Sequence, residues 1–197
     1  MKKIKLALFL LLIPYLSLAQ VPSCSTTVST FPYFQDFEAG AGGWTSGGTN
    51  SSWALGPPSN NPPSNKLVIT SAASGMNCWI TAQATAYNSD ENSYVASPCF
   101  NFSNLAMPAI ELKIWWNSEY GFDGTVLQSS TDGGLTWQNV GKHGDPYNWF
   151  NVNNIGSMPG GQQLTMHGWS GRDGSSPGNG SNGYVLARHK LDGLGGQ

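Results

Sequence analysis

The stretch Ala109-Ile110-Glu111-Leu112-Lys113-Ile114-Trp115-Trp116 decides the fold class. Ile110, Leu112, Ile114 and Trp116 fall on one face of an extended chain, with Glu111, Lys113 and Trp115 on the other. That period of two marks an antiparallel strand with one buried side. Shorter runs of the same kind are Leu67–Thr70, Cys78–Thr81, Ser93–Ser97, Thr125–Gln128 and Tyr184–Ala187. No stretch after residue 20 carries a helical period. Between the runs lie connectors rich in Gly, Ser, Asn and Pro, chiefly Gly40–Asn65 and Ser170–Gly183, the latter expected as mobile surface loop. Short strands separated by such turns predict an all-β protein, an antiparallel β-sandwich or jelly roll.

Composition agrees and narrows the function classes. The chain has 197 residues with Gly 25 and Pro 12, which suits one domain poor in regular helix. Only 10% of residues are charged, and no Lys/Arg cluster marks a nucleic-acid surface. Residues 1–19 read as a signal peptide: basic Lys2, Lys3 and Lys5, an apolar run from Leu6 to Leu18, and small Ser17 and Ala19 before Gln20. That run is too short to span a bilayer core of roughly 30 Å. Its removal takes three of the nine basic residues and leaves an acidic chain, secreted or at the cell surface, with no membrane span and no nucleic-acid partner expected. Residues 20–30 form a lead segment and 31–197 the domain.

Three cysteines remain in the exported chain. Cys78 and Cys99 both border strand-like runs and are the preferred disulfide pair; Cys24 with Cys99 is the alternative. The chain stops soon after the Tyr184–Ala187 strand and the Leu191–Gly195 turn, which suggests a fragment lacking a closing strand.

Ser130-Thr131-Asp132-Gly133-Gly134-Leu135-Thr136-Trp137 resembles the Asp-box, S-x-D-x-G-x-T-W. Ser130, Asp132, Gly134, Thr136 and Trp137 are read as a structural hairpin turn, with Asp132 accepting turn amides and Trp137 folding back into the core. The motifs in order widen the likeness. They are Phe31–Glu38, Gly43-Trp44, Ser52-Trp53, Asn88–Phe100, the Ile110–Trp116 strand, Tyr120–Gly124, Gly168–Gly171 and Tyr184–Leu191. Together they resemble the MAM-like, concanavalin-type jelly-roll domain of secreted Bacteroidetes-type proteins, whose architecture is like that of type IX secretion cargo. The resemblance covers residues 31–197. It implies a non-catalytic adhesion or interaction module of a larger protein, with an accessory domain of a secreted protease or a carbohydrate-binding module as alternatives. It also implies a structural Ca²⁺, for which Asp36, Glu38 and Asp123 are the candidate ligands, although calcium needs six to eight oxygens.

No catalytic residues are assigned. His143, His167 and His189 lack metal-ligand spacing, and there is no nucleophile elbow or phosphate loop. Asp90-Glu91 and Glu111/Glu119 are carboxylate pairs at unspecified distance and do not make a glycosidase. Tyr147 and Trp149 are candidate glycan-stacking rings, the alternative being that they cap the core. The expected partner is a protein or glycan ligand at the cell surface.

Overall fold

The computed structural model describes residues 24, 26–58, 69–83, 85–163, 166–174 and 178–196. The signal peptide and the first half of the Leu67–Thr70 run lie outside the described residues.

The described residues are β-rich, with one short 3₁₀ turn at Pro159–Gly161. Ten strands follow in chain order: β1 Thr27–Val28, β2 Thr45–Thr49, β3 Trp53–Gly56, β4 Cys78–Thr81, β5 Asn92–Ala96, β6 Cys99–Phe100, β7 Ala109–Ile114, β8 Gln128–Ser129, β9 Gln138–Asn139 and β10 Val185–Lys190. They form five two-stranded sheets: β1–β6, β2–β5, β3–β4, β7–β10 and β8–β9. All are antiparallel except β1–β6. No helix among these residues is long and apolar enough to cross a membrane.

The 109–116 run folds as its alternation requires. Strand β7 alternates exposed and half-buried residues and pairs in full register with β10, from Val185↔Ile114 to Lys190↔Ala109. Ile110, Leu112, Ile114 and Trp116 pack against a buried cluster of Val140, Trp149, Phe150, Trp169 and Ala187. The rings meet at angles, with Phe150–Trp169 at 4.7 Å and Trp149–Trp169 at 5.2 Å, both edge-on. Such pairs add about 0.5–1.5 kcal/mol beyond their buried area. The indole N–H groups are satisfied within the core, Trp149 Nε1 donating to Val140 O at 2.7 Å and Trp169 Nε1 to Asn148 O at 2.9 Å.

Several sequence expectations are corrected. The Gly40–Asn65 connector contains β2 and β3. The glycines of β2 are there for close approach: a Cβ on Gly47 would stand 2.6 Å from the Tyr94 hydroxyl. Segment 170–183 is no open surface loop in its described part. Ser170 is fully buried, and Asp173 is only 5% exposed. Asp173 accepts Trp115 Nε1 at 2.6 Å and Asn182 N at 2.7 Å. Polar side chains thus do the packing that apolar residues do elsewhere, which hydropathy alone misses. The Thr125–Gln128 run is reduced to a bridge, Thr125↔Trp169, and the start of β8.

The disulfide joins Cys24 to Cys99, with Cα atoms 5.6 Å apart. Cys78 is a free thiol. The preferred pairing Cys78–Cys99 is therefore replaced by the alternative. The reason lies in strand neighbours: β1 runs beside β6, with Thr27 opposite Cys99, and brings Cys24 within reach. Cys78 pairs instead with Gly56 across β3–β4, and its Sγ accepts a long hydrogen bond of 3.7 Å from the Tyr184 hydroxyl. Burial raises the Cys78 thiol pKa, and the Tyr184 contact offsets this only in part.

Candidate functional site

The Ser130–Trp137 segment closes the β8–β9 hairpin. Ser130 Oγ donates to Asp132 Oδ1 at 2.8 Å and accepts Gly134 N at 2.8 Å. Thr136 gives its amide to Asp132 Oδ1 at 2.9 Å and its hydroxyl to Oδ2 at 2.5 Å. The Thr136 hydroxyl and amide, then Ser130, hold the Asp132 carboxyl down at about 2. Both oxygens of this carboxylate accept hydrogen bonds that close the turn. Trp137 does fold over the turn, donating Nε1 to Gly134 O at 3.1 Å. It stays 41% exposed, however, so it does not enter the core.

The proposed calcium ligands are not brought together. Among the described residues there is no group of three or more His, Cys, Asp or Glu side chains able to hold a metal. Glu38 Oε1 accepts the amides of Met76 at 2.9 Å and Asn77 at 2.7 Å. Asp36 caps its own loop through Glu38 N at 3.1 Å. Asp123 Oδ2 accepts the Tyr87 hydroxyl at 2.7 Å, and burial together with that contact pushes the Tyr87 phenol up to about 12. These oxygens act as internal hydrogen-bond acceptors, and the set does not fit a Ca²⁺ shell.

Glu91 is a similar hub. It accepts Ser52 N at 2.9 Å, Ser52 Oγ at 2.5 Å, Ser93 Oγ at 2.6 Å and Asn88 N at 3.2 Å. Burial pushes the carboxyl up, but Ser52, Ser93 and Asn88 outweigh it and hold the pKa below its ordinary value. Glu111 pairs with Arg188 at 2.6 Å.

The structure does assemble one constellation that spacing could not reveal. His189 Nε2 lies 2.9 Å from Asp145 Oδ2, and the His189 ring packs 4.8 Å from that of Trp149. Asp145 Oδ2 also accepts Lys142 N at 2.7 Å. Burial raises the Asp145 carboxyl, but the Lys142 amide and His189 prevail and lower it. Gly141 makes the turn possible: its φ is +73°, and a Cβ there would stand 2.5 Å from His189 Nε2 and 2.6 Å from Trp149 Nε1. The pair lies at a shallow pocket of about 450 Å³ that Ser129, Gln138, Lys142 and Asp192 also line. A His–Asp pair invites comparison with a hydrolytic triad, in which the second imidazole nitrogen holds a nucleophile. Here Nδ1 faces the backbone carbonyl of Lys190 at 2.5 Å instead. No serine or cysteine among the described residues hydrogen-bonds to His189. The pair ties the 141–145 turn to β10.

The two stacking candidates part company. Trp149 is 3% exposed and belongs to the core, so the glycan role is corrected: a loop aromatic between Asn and Phe folds inward because three rings await it. Tyr147 is 67% exposed.

No family model matches the chain, and no solved structure matches it. A stretch of 112 residues is 30% identical to Bacillopeptidase F of Bacillus subtilis (strain 168). That stretch is 57% of this chain and 7% of the peptidase's length.

Proposed function

We propose that the chain is a non-catalytic accessory module of a larger extracellular protein, with a peptidase as the favoured setting. One observation carries this reading: the likeness is to a small piece, 7%, of a protein named as a peptidase. A match of that proportion is what a module shared between larger chains would leave. Two further features support it. The carboxylates of Glu38, Glu91, Asp123, Asp132 and Asp145 all accept hydrogen bonds from within the chain, as scaffold residues do. The Cys24–Cys99 disulfide suits an oxidising compartment outside the cytosol. We read the paired strands as parts of a MAM-like jelly-roll sandwich, and the Ser130–Trp137 hairpin as an Asp-box serving as scaffold. The module's role is to hold a protein or glycan ligand for the activity beside it.

The test is hydrolysis of fluorescently quenched casein by the purified full chain. No release above buffer is expected. Release that disappears in His189→Asn, with the fold retained, would replace this reading with that of an enzyme.

A further inference from the structure

Tyr147 presents a problem that folding does not solve. Its ring is 67% exposed, yet it and Asn148 stand consecutively in left-handed backbone, at φ 63° and 58°. Asparagine tolerates that region; a tyrosine there is uncommon and costs free energy. The loop is held in place from both sides. Arg188 N donates to Tyr147 O at 3.1 Å, Asn148 Nδ2 donates to Leu186 O at 3.0 Å, and Trp169 Nε1 donates to Asn148 O at 2.9 Å. The buried core therefore fixes the backbone of a residue whose own side chain contributes little to that core. The backbone that presents this exposed ring is already ordered, which reduces what a ligand would have to order on binding.

What lies beside the ring specifies the ligand. Tyr147 borders a shallow groove of about 350 Å³ over the start of β7 and the end of β10, shared with Ile110, Glu111, Arg188 and Lys190. Arg188 Nε donates to Glu111 Oε2 at 2.6 Å, and each side chain of this pair keeps 54% of its surface exposed. The groove thus offers a flat apolar ring next to an exposed, ion-paired carboxylate and guanidinium. The remaining carboxylate oxygen and guanidinium N–H groups match the vicinal hydroxyls of a sugar, which both donate and accept. The C–H face of a pyranose fits an aromatic ring by the same burial that drives other apolar contacts.

We infer that the Tyr147–Glu111–Arg188 groove is a saccharide-binding subsite that stacks one pyranose ring on Tyr147. The assignment deepens the reading of the chain as a non-catalytic module and rests on it. A few hydrogen bonds and one ring make a weak site for a single sugar, so affinity would come from extended chains or repeated modules.

The test is titration calorimetry of the purified full chain with cellohexaose, laminarihexaose and chitohexaose, and separately with a tryptic digest of casein. At least one oligosaccharide is expected to bind. Tyr147→Asn keeps the left-handed backbone while removing the ring, and is expected to weaken binding at least tenfold. Tyr147→Trp should preserve it, and Glu111→Gln should weaken it several-fold. Absence of binding by all three sugars would overturn the inference, as would binding that survives Tyr147→Asn. Tyr147-dependent binding of casein peptides with no sugar binding would overturn the saccharide assignment in favour of a peptide. Shortening of a bound oligosaccharide is a distinct result: it would overturn the non-catalytic reading and leave the subsite standing.

Discussion

The two halves of the molecule are held together by different physics. From Val140 onward the structure buries Trp149, Phe150, Val152, Ile155, Trp169 and Ala187 almost completely. Before Val140, prolines apart, Ile80 is the only buried hydrophobic residue among those described. Yet the earlier half has most of the strands, including the β2–β5 and β3–β4 pairs. It is fastened by the Cys24–Cys99 bond, by the acceptor hubs Glu38 and Glu91, and by half-buried rings such as Phe31, Tyr33, Phe100 and Phe102. The buried Nε1 of Trp79, by contrast with those of Trp149 and Trp169, finds no partner among the described residues. Regular strands therefore do not mark where the apolar burial lies. In this chain the irregular segments around 140–155 and 166–173 carry the aromatic core, with β7 and β10 packed against it, while β1 to β6 are bound by the disulfide, polar links and half-buried rings.

The strongest way to break that contrast is to empty the core. Trp169→Ala removes the ring that touches Trp116, Trp149 and Phe150, and should cost about 3–5 kcal/mol, read as a fall in the urea midpoint. A loss near zero would mean the later half is not the stabilising one. Next in size is the covalent link. Replacing Cys24 and Cys99 by serine opens a 75-residue separation and should cost about 2–4 kcal/mol. Proteolytic nicking should then concentrate in residues 26–58, with the 140–190 region intact; uniform loosening would contradict the division.

A smaller effect is expected at the polar hub. Glu91→Gln keeps the shape but weakens four accepted hydrogen bonds, and should cost about 1–2 kcal/mol. Because the folded carboxyl is held below its ordinary value, its contribution is present at neutral pH and is lost as pH falls below the ordinary carboxylate range. The wild type should lose stability relative to Glu91→Gln on acidification in that range, and parallel pH curves would dismiss the hub.

The smallest effect separates an imidazole from the carboxylates. Burial, then the positive charges of His143 and Lys142, lower the His167 pKa against the pull of Asp145. Its Nδ1 also accepts His143 N at 3.3 Å, which protonation at that atom would end. As pH falls through the ordinary imidazole value of about 6.5, the unfolded chain takes up the proton first, so stability declines. The melting temperature should be slightly lower at pH 5.5 than at pH 7.5, and His167→Gln should flatten that step. A step unchanged in the variant would place the titrating group elsewhere.

The sequence disclosed what neighbours along the chain determine. The alternation at Ile110–Trp116 gave β7, and Ser130–Trp137 contained its own turn, since Ser130, Asp132, Gly134 and Thr136 bond to one another within seven residues. Long-range facts stayed hidden. The disulfide partner of Cys99 depends on β1 lying beside β6, and the His189–Asp145 pair joins residues 44 apart. Trp149 and Tyr147, two residues apart in one loop, differ in exposure because left-handed turns at Tyr147 and Asn148 redirect the chain. Neither composition nor hydropathy encodes that change of direction. Asp173 was equally obscure: a carboxylate in a Gly/Ser-rich stretch is buried where Trp115, from 58 residues away, and Asn182 donate to it.

Native-state hydrogen exchange of the full chain, resolved by residue, tests the division between the halves most directly. Amides of Val185–Lys190 and their β7 partners, with those of Val152, Gly168 and Trp169, are expected to exchange slowest and together. Those of β2 and β5 should exchange sooner, and sooner still once the disulfide is reduced. The reverse order, with β2 and β5 most protected and the Trp149–Trp169 region open, would contradict a stability centred on the later aromatic core.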